Sequence, residues 1–152
     1  MEPFAQAHLM VVEDLNSDQQ LIRIALEELG FQGQTTYLSS GEGLLEYFFA
    51  EPRAEPLVLP DLILLDLSLS DMNGKVLLDR LKQTPQTAAT PVVIFSSMQS
   101  EATSGECYAL GAGGFVQKPT DFDELKARLS ATFSFWFQPS IKRGSGLRGT
   151  KA

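Results

Sequence analysis

The stretch from Leu62 to Gly74, LILLDLSLSDMNG, places four apolar residues directly before an aspartate and then enters a polar turn. A short apolar run bounded by turn residues is typical of a fully buried strand in a parallel sheet. A buried carboxylate without a partner is costly, so Asp66 has to reach water at the strand end or meet a positive charge. The run therefore predicts a strand that ends at a functional carboxylate.

The composition indicates one compact globular domain with an acidic surface. The chain has 152 residues, of which 43% are hydrophobic and 20% are charged, and its formal net charge is -7. Non-specific nucleic-acid binding needs a basic surface, so we expect no nucleic-acid partner. The single cysteine, Cys107, excludes an intramolecular disulfide and is predicted to be a buried, inert thiol. Because no apolar run approaches the roughly 20 residues that span a bilayer, we expect a cytoplasmic protein without a membrane segment.

Strand-sized apolar runs alternate with amphipathic segments along the chain. The predicted strands are His8–Val12, Gln34–Leu38, Leu62–Asp66, Val92–Ser96 and Gly114–Lys118. The predicted helices are Ser17–Leu29, Gly41–Ala50, Lys75–Gln83, Glu101–Leu110 and a last helix that Asp121 caps and that runs to Phe135. This alternation predicts an α/β fold with a doubly wound, parallel five-stranded sheet and helices on both faces.

Polar and charged residues stand where the predicted strands end. Glu13 and Asp14 follow the first strand, Asp66 ends the third, Ser96 ends the fourth and Lys118 ends the fifth. Clustered carboxylates repel one another, and Mg²⁺ relieves that repulsion because it prefers oxygen ligands. Asp66 is then suited to attack phosphorus, with Lys118 and Ser96 facing the phosphoryl oxygens. Each residue alone has an ordinary structural explanation, such as a turn or a helix cap, and the prediction depends on their combination.

With these residues in view, the chain resembles the receiver domains of two-component response regulators from about His8 to Phe135. The matching segments read MVVEDLNSD, PDLILLDLSLSDMNG, TPVVIFSS and ALGAGGFVQKP. The resemblance implies a flavodoxin-like (βα)5 fold and a receiver domain over residues 1–137. It also implies a sensor histidine kinase that donates a phosphoryl group to Asp66, which switches an interaction surface.

The resemblance also implies roles for the residues around the phosphoacceptor. Asp14 and Asp66 would ligate Mg²⁺ directly and Glu13 through water, and the backbone carbonyl of Ser68 would be a further ligand. One departure from the family pattern is Ser70, which stands where the family usually has proline.

The last two strands carry the residues that the resemblance assigns to switching. Lys118 would pair with the phosphoryl group and precede a cis peptide bond at Pro119. Ser96 would be the switch hydroxyl, and Phe115 would be the switch aromatic residue that rotates inward on phosphorylation.

The end of the last helix carries a cluster of aromatic residues, which are Phe133, Phe135, Trp136 and Phe137. They either complete the core of this domain or dock a second copy. The proline-rich loop 51–60 and the Phe-Trp ending resemble the single-domain regulators paired with phytochromes. That resemblance implies a bacteriophytochrome kinase as phosphodonor. It also implies a homodimer through the fourth helix, fifth strand, fifth helix and C-terminal extension, residues 138–152, which we expect to be flexible.

Two other functions remain open on the sequence alone. A pseudo-receiver would bind partners without being phosphorylated, although the complete set of site residues disfavours it. A haloacid-dehalogenase-like phosphatase also uses an aspartate after a parallel strand, but that family has an acid two residues later, where this chain has Ser68. We therefore expect a protein that modifies itself and not an enzyme that turns over a separate substrate.

Overall fold

Strands and helices alternate through the part of the chain that the computed structural model describes, residues 6–97 and 100–137. The strands are β1 (His8–Val12), β2 (Gln34–Leu38), β3 (Leu62–Leu65), β4 (Val92–Ser96) and β5 (Gly114–Gln117). The helices are α1 (Asn16–Glu28), α2 (Gly41–Phe49), α3 (Gly74–Gln83), α4 (Glu101–Ala109) and α5 (Phe122–Trp136). Every predicted element is present, while the expected C-terminal extension lies outside the described residues. None of the described helices has the length and apolar character needed to cross a bilayer.

All neighbouring strands of the sheet are parallel, and their order is β2-β1-β3-β4-β5. The chain moves outward from β1 to β2 and then crosses to β3 on the other side of β1. This order is that of the flavodoxin-like doubly wound fold, in which ligands bind at the carboxyl ends of the strands beside the reversal. The predicted fold class is therefore confirmed, and the reversal lies between β1 and β3.

Side chains that alternate along the strands build one apolar layer on each face of the sheet. Ile63 and Leu65 of β3 face α2, α3 and α4, whereas Leu62 and Leu64 face α1 and α5. Cys107 of α4 is completely buried in the first layer, and burial raises the pKa of its thiol. Its predicted burial is confirmed, and the raised pKa keeps the thiol protonated.

The aromatic cluster at the end of α5 divides between core and surface. Phe133 and Phe137 are 1% and 3% exposed, and both rings pack against Phe31. Trp136 lies over Gly113, where an added Cβ would come within 2.8 Å of the indole. Phe135 is 62% exposed. Two of the four rings therefore complete the core of this domain, and one points into solvent.

Candidate functional site

Strand register brings Glu13 and Asp66 side by side. Val12 of β1 is paired with Leu65 of β3, so the next residue of each strand is a carboxylate. The Asp66 N–H donates to the Val12 carbonyl at 3.1 Å, and the Glu13 N–H donates to the Leu38 carbonyl at 2.9 Å. These bonds extend the ladder beyond the strands and hold both residues at the point where the strand order reverses.

Three carboxylates converge at this edge of the sheet. Glu13, Asp14 and Asp66 each offer an oxygen, and the three oxygens lie within 4.8 Å of one another. Glu13 and Asp66 are buried, whereas Asp14 is partly exposed. A compact set of carboxylate oxygens that is open to water on one side fits a hard divalent cation, which keeps some of its water ligands.

Lys118 supplies the positive charge that the buried Asp66 carboxylate requires. Its Nζ forms a salt bridge with Glu13 and lies 3.4 Å from Asp66 Oδ2. Burial alone would lower the pKa of Lys118, but the hydrogen bond to Glu13 and the charges of Glu13 and Asp66 outweigh burial and raise it. Lys118 therefore remains an ammonium group, and Asp66 faces both the other carboxylates and this cation.

Ser96 and Phe115 lie on the two strands that lead to Lys118. Ser96 is completely buried at the end of β4, and its carbonyl accepts the Lys118 N–H at 2.8 Å. Phe115 is partly buried, pairs with Ile94 across the ladder and packs against the layer that faces α2, α3 and α4. The structure thus places both predicted switch residues on the strands beside the site.

The expected cis peptide bond at Lys118–Pro119 is wrong in this structure. Among the described residues, the cis bond is that between Glu51 and Pro52. Bonds that precede proline favour the trans form by roughly 0.5–1 kcal/mol, and Lys118–Pro119 follows that preference.

The loop from β3 to α3 folds back tightly on the phosphoacceptor strand. The Gly74 N–H donates to the Leu67 carbonyl at 2.8 Å, so the Ser68 carbonyl is not the acceptor of this hydrogen bond. A Cβ at Gly74 would lie 2.6 Å from the Asp66 carbonyl oxygen and 2.8 Å from Leu67 Cα. A side chain therefore does not fit at position 74 while the loop keeps this path.

Backbone donors of the same loop face the carboxylates. The Ser68 N–H donates to Asp66 Oδ1 at 3.2 Å, and the Ser70 N–H donates to Asp14 Oδ2 at 2.7 Å. Proline has no N–H, so the proline that the family usually carries at position 70 would not form the second bond. Ser70 therefore links the loop to the carboxylate cluster.

Asp71 has a structural role that the sequence did not reveal. The sequence suggests only a solvated turn residue, but its two carboxylate oxygens accept the N–H groups of Gly41 and Glu42, both at 2.9 Å. These two hydrogen bonds lower the pKa of Asp71. The loop that carries the site is thereby attached to the first turn of α2.

Asp18 is a fourth carboxylate near the site, and sequence reasoning gave it no role. It lies in the first turn of α1, and its Oδ2 is 3.0 Å from Lys118 Nζ. The sequence does show an acid four residues after Asp14. An acid in the first turn of a helix is common, however, because its negative charge interacts favourably with the helix dipole.

The only histidine of the chain, His8, lies at the opposite end of β1 from Glu13. Its Nε2 is 2.8 Å from Thr36 Oγ1, and burial lowers its pKa. It is a buried residue of the strand and lies away from the carboxylate cluster.

The charge of Glu13 predicts a pH dependence of stability. Burial, with a contribution from Asp66, raises its pKa from 4.5 to about 7, against the opposing effect of Lys118. Between these values the folded state binds more protons than the unfolded state, so stability falls as pH rises through this window. We expect the metal-free protein to lose about 2–3 kcal/mol across the window relative to Glu13→Gln.

Urea unfolding in the presence of a chelator, at several pH values between about 4.5 and 8, measures this difference. The wild-type curve should fall toward neutral pH while the Glu13→Gln curve stays flatter. Parallel curves would contradict the assignment of the raised pKa to Glu13.

Comparison with known proteins identifies the class that this fold and site define. The response regulator receiver domain family matches residues 9–130. The chain therefore belongs to that family, whose members act in two-component systems.

Two individual relatives are similar to this chain over most of its length. The probable methanogenesis regulatory protein FilR2 of Methanothrix harundinacea is 30% identical over 128 residues, which cover 84% of this chain and 82% of FilR2. Response regulator Rcp1 of Synechocystis sp. is 25% identical over 130 residues, which cover 86% of this chain and 88% of Rcp1.

Solved structures of response regulators are also similar to this chain. The phosphorylated cyanobacterial phytochrome response regulator RcpA aligns with a TM-score of 0.80 and 27% identity, covering 88% of this chain and 96% of RcpA. The Mn²⁺-bound form of Rcp1 aligns with a TM-score of 0.76 and 25% identity, covering 87% and 95%. The predicted resemblance to receiver domains, and to the phytochrome-associated regulators among them, is confirmed.

Proposed function

We propose that this protein accepts a phosphoryl group on Asp66 from a sensor histidine kinase, with Mg²⁺ bound at the carboxylate cluster. The observation that carries the proposal is the position of Asp66 between two further carboxylates and the Lys118 ammonium. A carboxylate with a purely structural role would need only a positive partner such as the Lys118 ammonium. Asp66 also faces two carboxylates that could bind a metal ion together with it.

The chain offers a suitable set of ligands for Mg²⁺. Asp14 and Asp66 would bind the ion directly, Glu13 would bind through water, and the Ser68 carbonyl would add a backbone oxygen. The ion would neutralise charge on the carboxylates and on the phosphoryl oxygens. Other hard divalent ions would suit the same oxygens, and Rcp1 has been solved with Mn²⁺.

The proposed transfer is a displacement at phosphorus. A carboxylate oxygen of Asp66 forms a bond to the phosphorus of the kinase phosphohistidine, whose other ring nitrogen carries a proton. The bond between phosphorus and the imidazole nitrogen breaks and its electron pair stays on that nitrogen, so the imidazole leaves as a neutral ring. Lys118 and the Ser96 hydroxyl donate to the phosphoryl oxygens and offset their charge. The product is an acyl phosphate on Asp66 and a neutral histidine on the kinase.

The signal would leave through the surface beside β5. Movement of Ser96 toward the phosphoryl group would open space into which Phe115 rotates, and this couples the site to α4, β5 and α5. Tyr108 on α4 and Phe135 on α5 are 52% and 62% exposed, and they supply apolar area for a homodimer on this face. The C-terminal extension that the resemblance also assigns to this interface lies outside the described residues.

A bacteriophytochrome is the kinase class that the relatives favour. RcpA is described as a phytochrome response regulator, and a further neighbour with 30% identity and a TM-score of 0.69 is the bacteriophytochrome response regulator RtBRR. We therefore propose a light-sensing histidine kinase as the phosphodonor, in the cytoplasm, and no nucleic-acid partner.

Replacement of Asp66 by asparagine is expected to abolish phosphorylation completely, because an amide oxygen is not a nucleophile toward phosphorus. Intact mass after incubation with acetyl phosphate and Mg²⁺ measures this. The wild type should gain one phosphoryl group that hydroxylamine removes, and Asp66→Asn should gain none.

Asp79→Asn is the matched control, because it removes an exposed carboxylate from α3 outside the cluster, and it should behave as the wild type. An adduct on Asp66→Asn would contradict the assignment of the phosphoacceptor. A wild type that binds Mg²⁺ and forms no adduct would instead favour a pseudo-receiver, and turnover of small phosphoesters would favour a phosphatase.

A further inference from the structure

Lys118 is in contact with a carboxylate that does not belong to the metal cluster. Its Nζ pairs with Glu13, with Asp18 Oδ2 at 3.0 Å and with Asp66 Oδ2 at 3.4 Å. Glu13 and Asp66 belong to the cluster that can hold a cation, and Asp18 does not. Among the described carboxylates around Lys118, Asp18 is thus the one that is not also a candidate metal ligand.

The geometry matches the number of donors that an ammonium group has. A lysine ammonium carries three N–H donors on a flexible stem, so its direction has to be fixed by its acceptors. Here each donor has one carboxylate. When a phosphoryl oxygen takes the place of the Asp66 oxygen, the bonds to Glu13 and Asp18 hold the remaining two donors and aim the third at the phosphoryl group.

The backbone of Asp18 is well placed for this role because the first turn of α1 is attached to the strand ends. The neighbouring Gln19 donates from Nε2 to the Glu13 carbonyl at 2.6 Å and to the Leu38 carbonyl at 3.5 Å. The Gln19 N–H also donates to the Leu15 carbonyl at 3.0 Å. Asp18 therefore sits on a turn whose position relative to Glu13 is fixed.

We propose that Asp18 is a positioning residue that orients the Lys118 ammonium toward the phosphoryl group on Asp66. This rests on the proposed function, and it adds a residue that acts through Lys118 and touches neither the metal nor the phosphoryl group. Its side chain is 29% exposed, compared with 2% for Glu13 and 6% for Asp66, so it is the most solvent-accessible of the three carboxylates that Lys118 contacts.

The test compares Asp18→Asn and Asp18→Glu with Glu27→Gln, a control that removes an exposed acid from the same helix. The rate of adduct formation is measured against acetyl phosphate and Mg²⁺ concentration. We expect Asp18→Asn to lower the maximal rate on the order of tenfold, as misorientation of a reacting group does, while half-saturating Mg²⁺ stays unchanged. Asp18→Glu should restore most of the rate, and Glu27→Gln should match the wild type.

A second measurement does not depend on phosphorylation. The exchange of the Lys118 ammonium protons with water is followed by nitrogen-15 NMR in the metal-free proteins. We expect slow exchange in the wild type, Asp18→Glu and Glu27→Gln, and faster exchange in Asp18→Asn. This readout also separates the proposals, since a wild type without any adduct would refute the proposed function and leave the orientation of Lys118 to be judged by exchange.

Three results would overturn the role of Asp18. One is an unchanged or higher maximal rate in Asp18→Asn, and another is a shift in half-saturating Mg²⁺ that accounts for the whole loss. The third is unchanged ammonium exchange in Asp18→Asn, whatever happens to the rate.

Discussion

Replacing Gly74 with alanine is expected to abolish most phosphoryl acceptance and to lower the free energy of unfolding by about 1–3 kcal/mol. The added methyl would lie 2.6 Å from the Asp66 carbonyl oxygen and 2.8 Å from Leu67 Cα. Both are backbone atoms, so the strain cannot be relieved by rotation of a flexible side chain. The loop has to move, and it carries with it the Asp66 carboxylate and the Ser68 donor that faces it.

Gly105→Ala is the matched control for this substitution. Gly105 is also a helical glycine, but nothing lies within 4 Å of the position that its Cβ would take. Alanine favours the helix over glycine, so this variant should be more stable by about 0.5–1 kcal/mol. Urea unfolding and the mass of the acetyl phosphate adduct measure both variants. A Gly74→Ala protein with normal stability and a normal adduct would contradict the close approach.

Phe133→Ala is expected to have the largest effect on stability, a loss of about 3–5 kcal/mol. Phe133 is 1% exposed, and its ring packs against those of Phe31 and Phe137, so truncation leaves a cavity between α5 and the sheet. Phe135→Ala is the control from the same helix, because its ring is 62% exposed and its loss should change stability by no more than about 0.5 kcal/mol.

Urea unfolding of both variants measures the contrast. Equal losses of stability would contradict the division of the aromatic cluster into core and surface.

Sedimentation of the same Phe135→Ala protein tests the proposed homodimer, since self-association should weaken if the face beside β5 is the interface. If the Phe135→Ala substitution leaves dimerisation unchanged, the interface lies on another face of the domain.

Sequence alone determined the order of the elements and the residues of the reacting centre. The runs that became β1, β3 and β4 are apolar at nearly every position because helices cover both faces of the sheet, and this pattern marks a parallel α/β fold without further information. Parallel strands end at the same edge, so Glu13, Asp14, Asp66 and Lys118 could be brought together from their places in the sequence.

Only the tertiary structure decided how the supporting contacts are made. Asp18 reaches Lys118 and Asp71 reaches the start of α2 across 100 and 30 residues of chain, and no local pattern specifies such partners. Ser70 and Asp14 are joined by a backbone donor, which every residue except proline carries. Likewise Phe133 and Phe135 are the same residue type two positions apart, and what separates core from surface is the direction in which the packed helix turns each ring. Composition and periodicity are local properties, whereas these contacts depend on where distant segments meet after the sheet has formed.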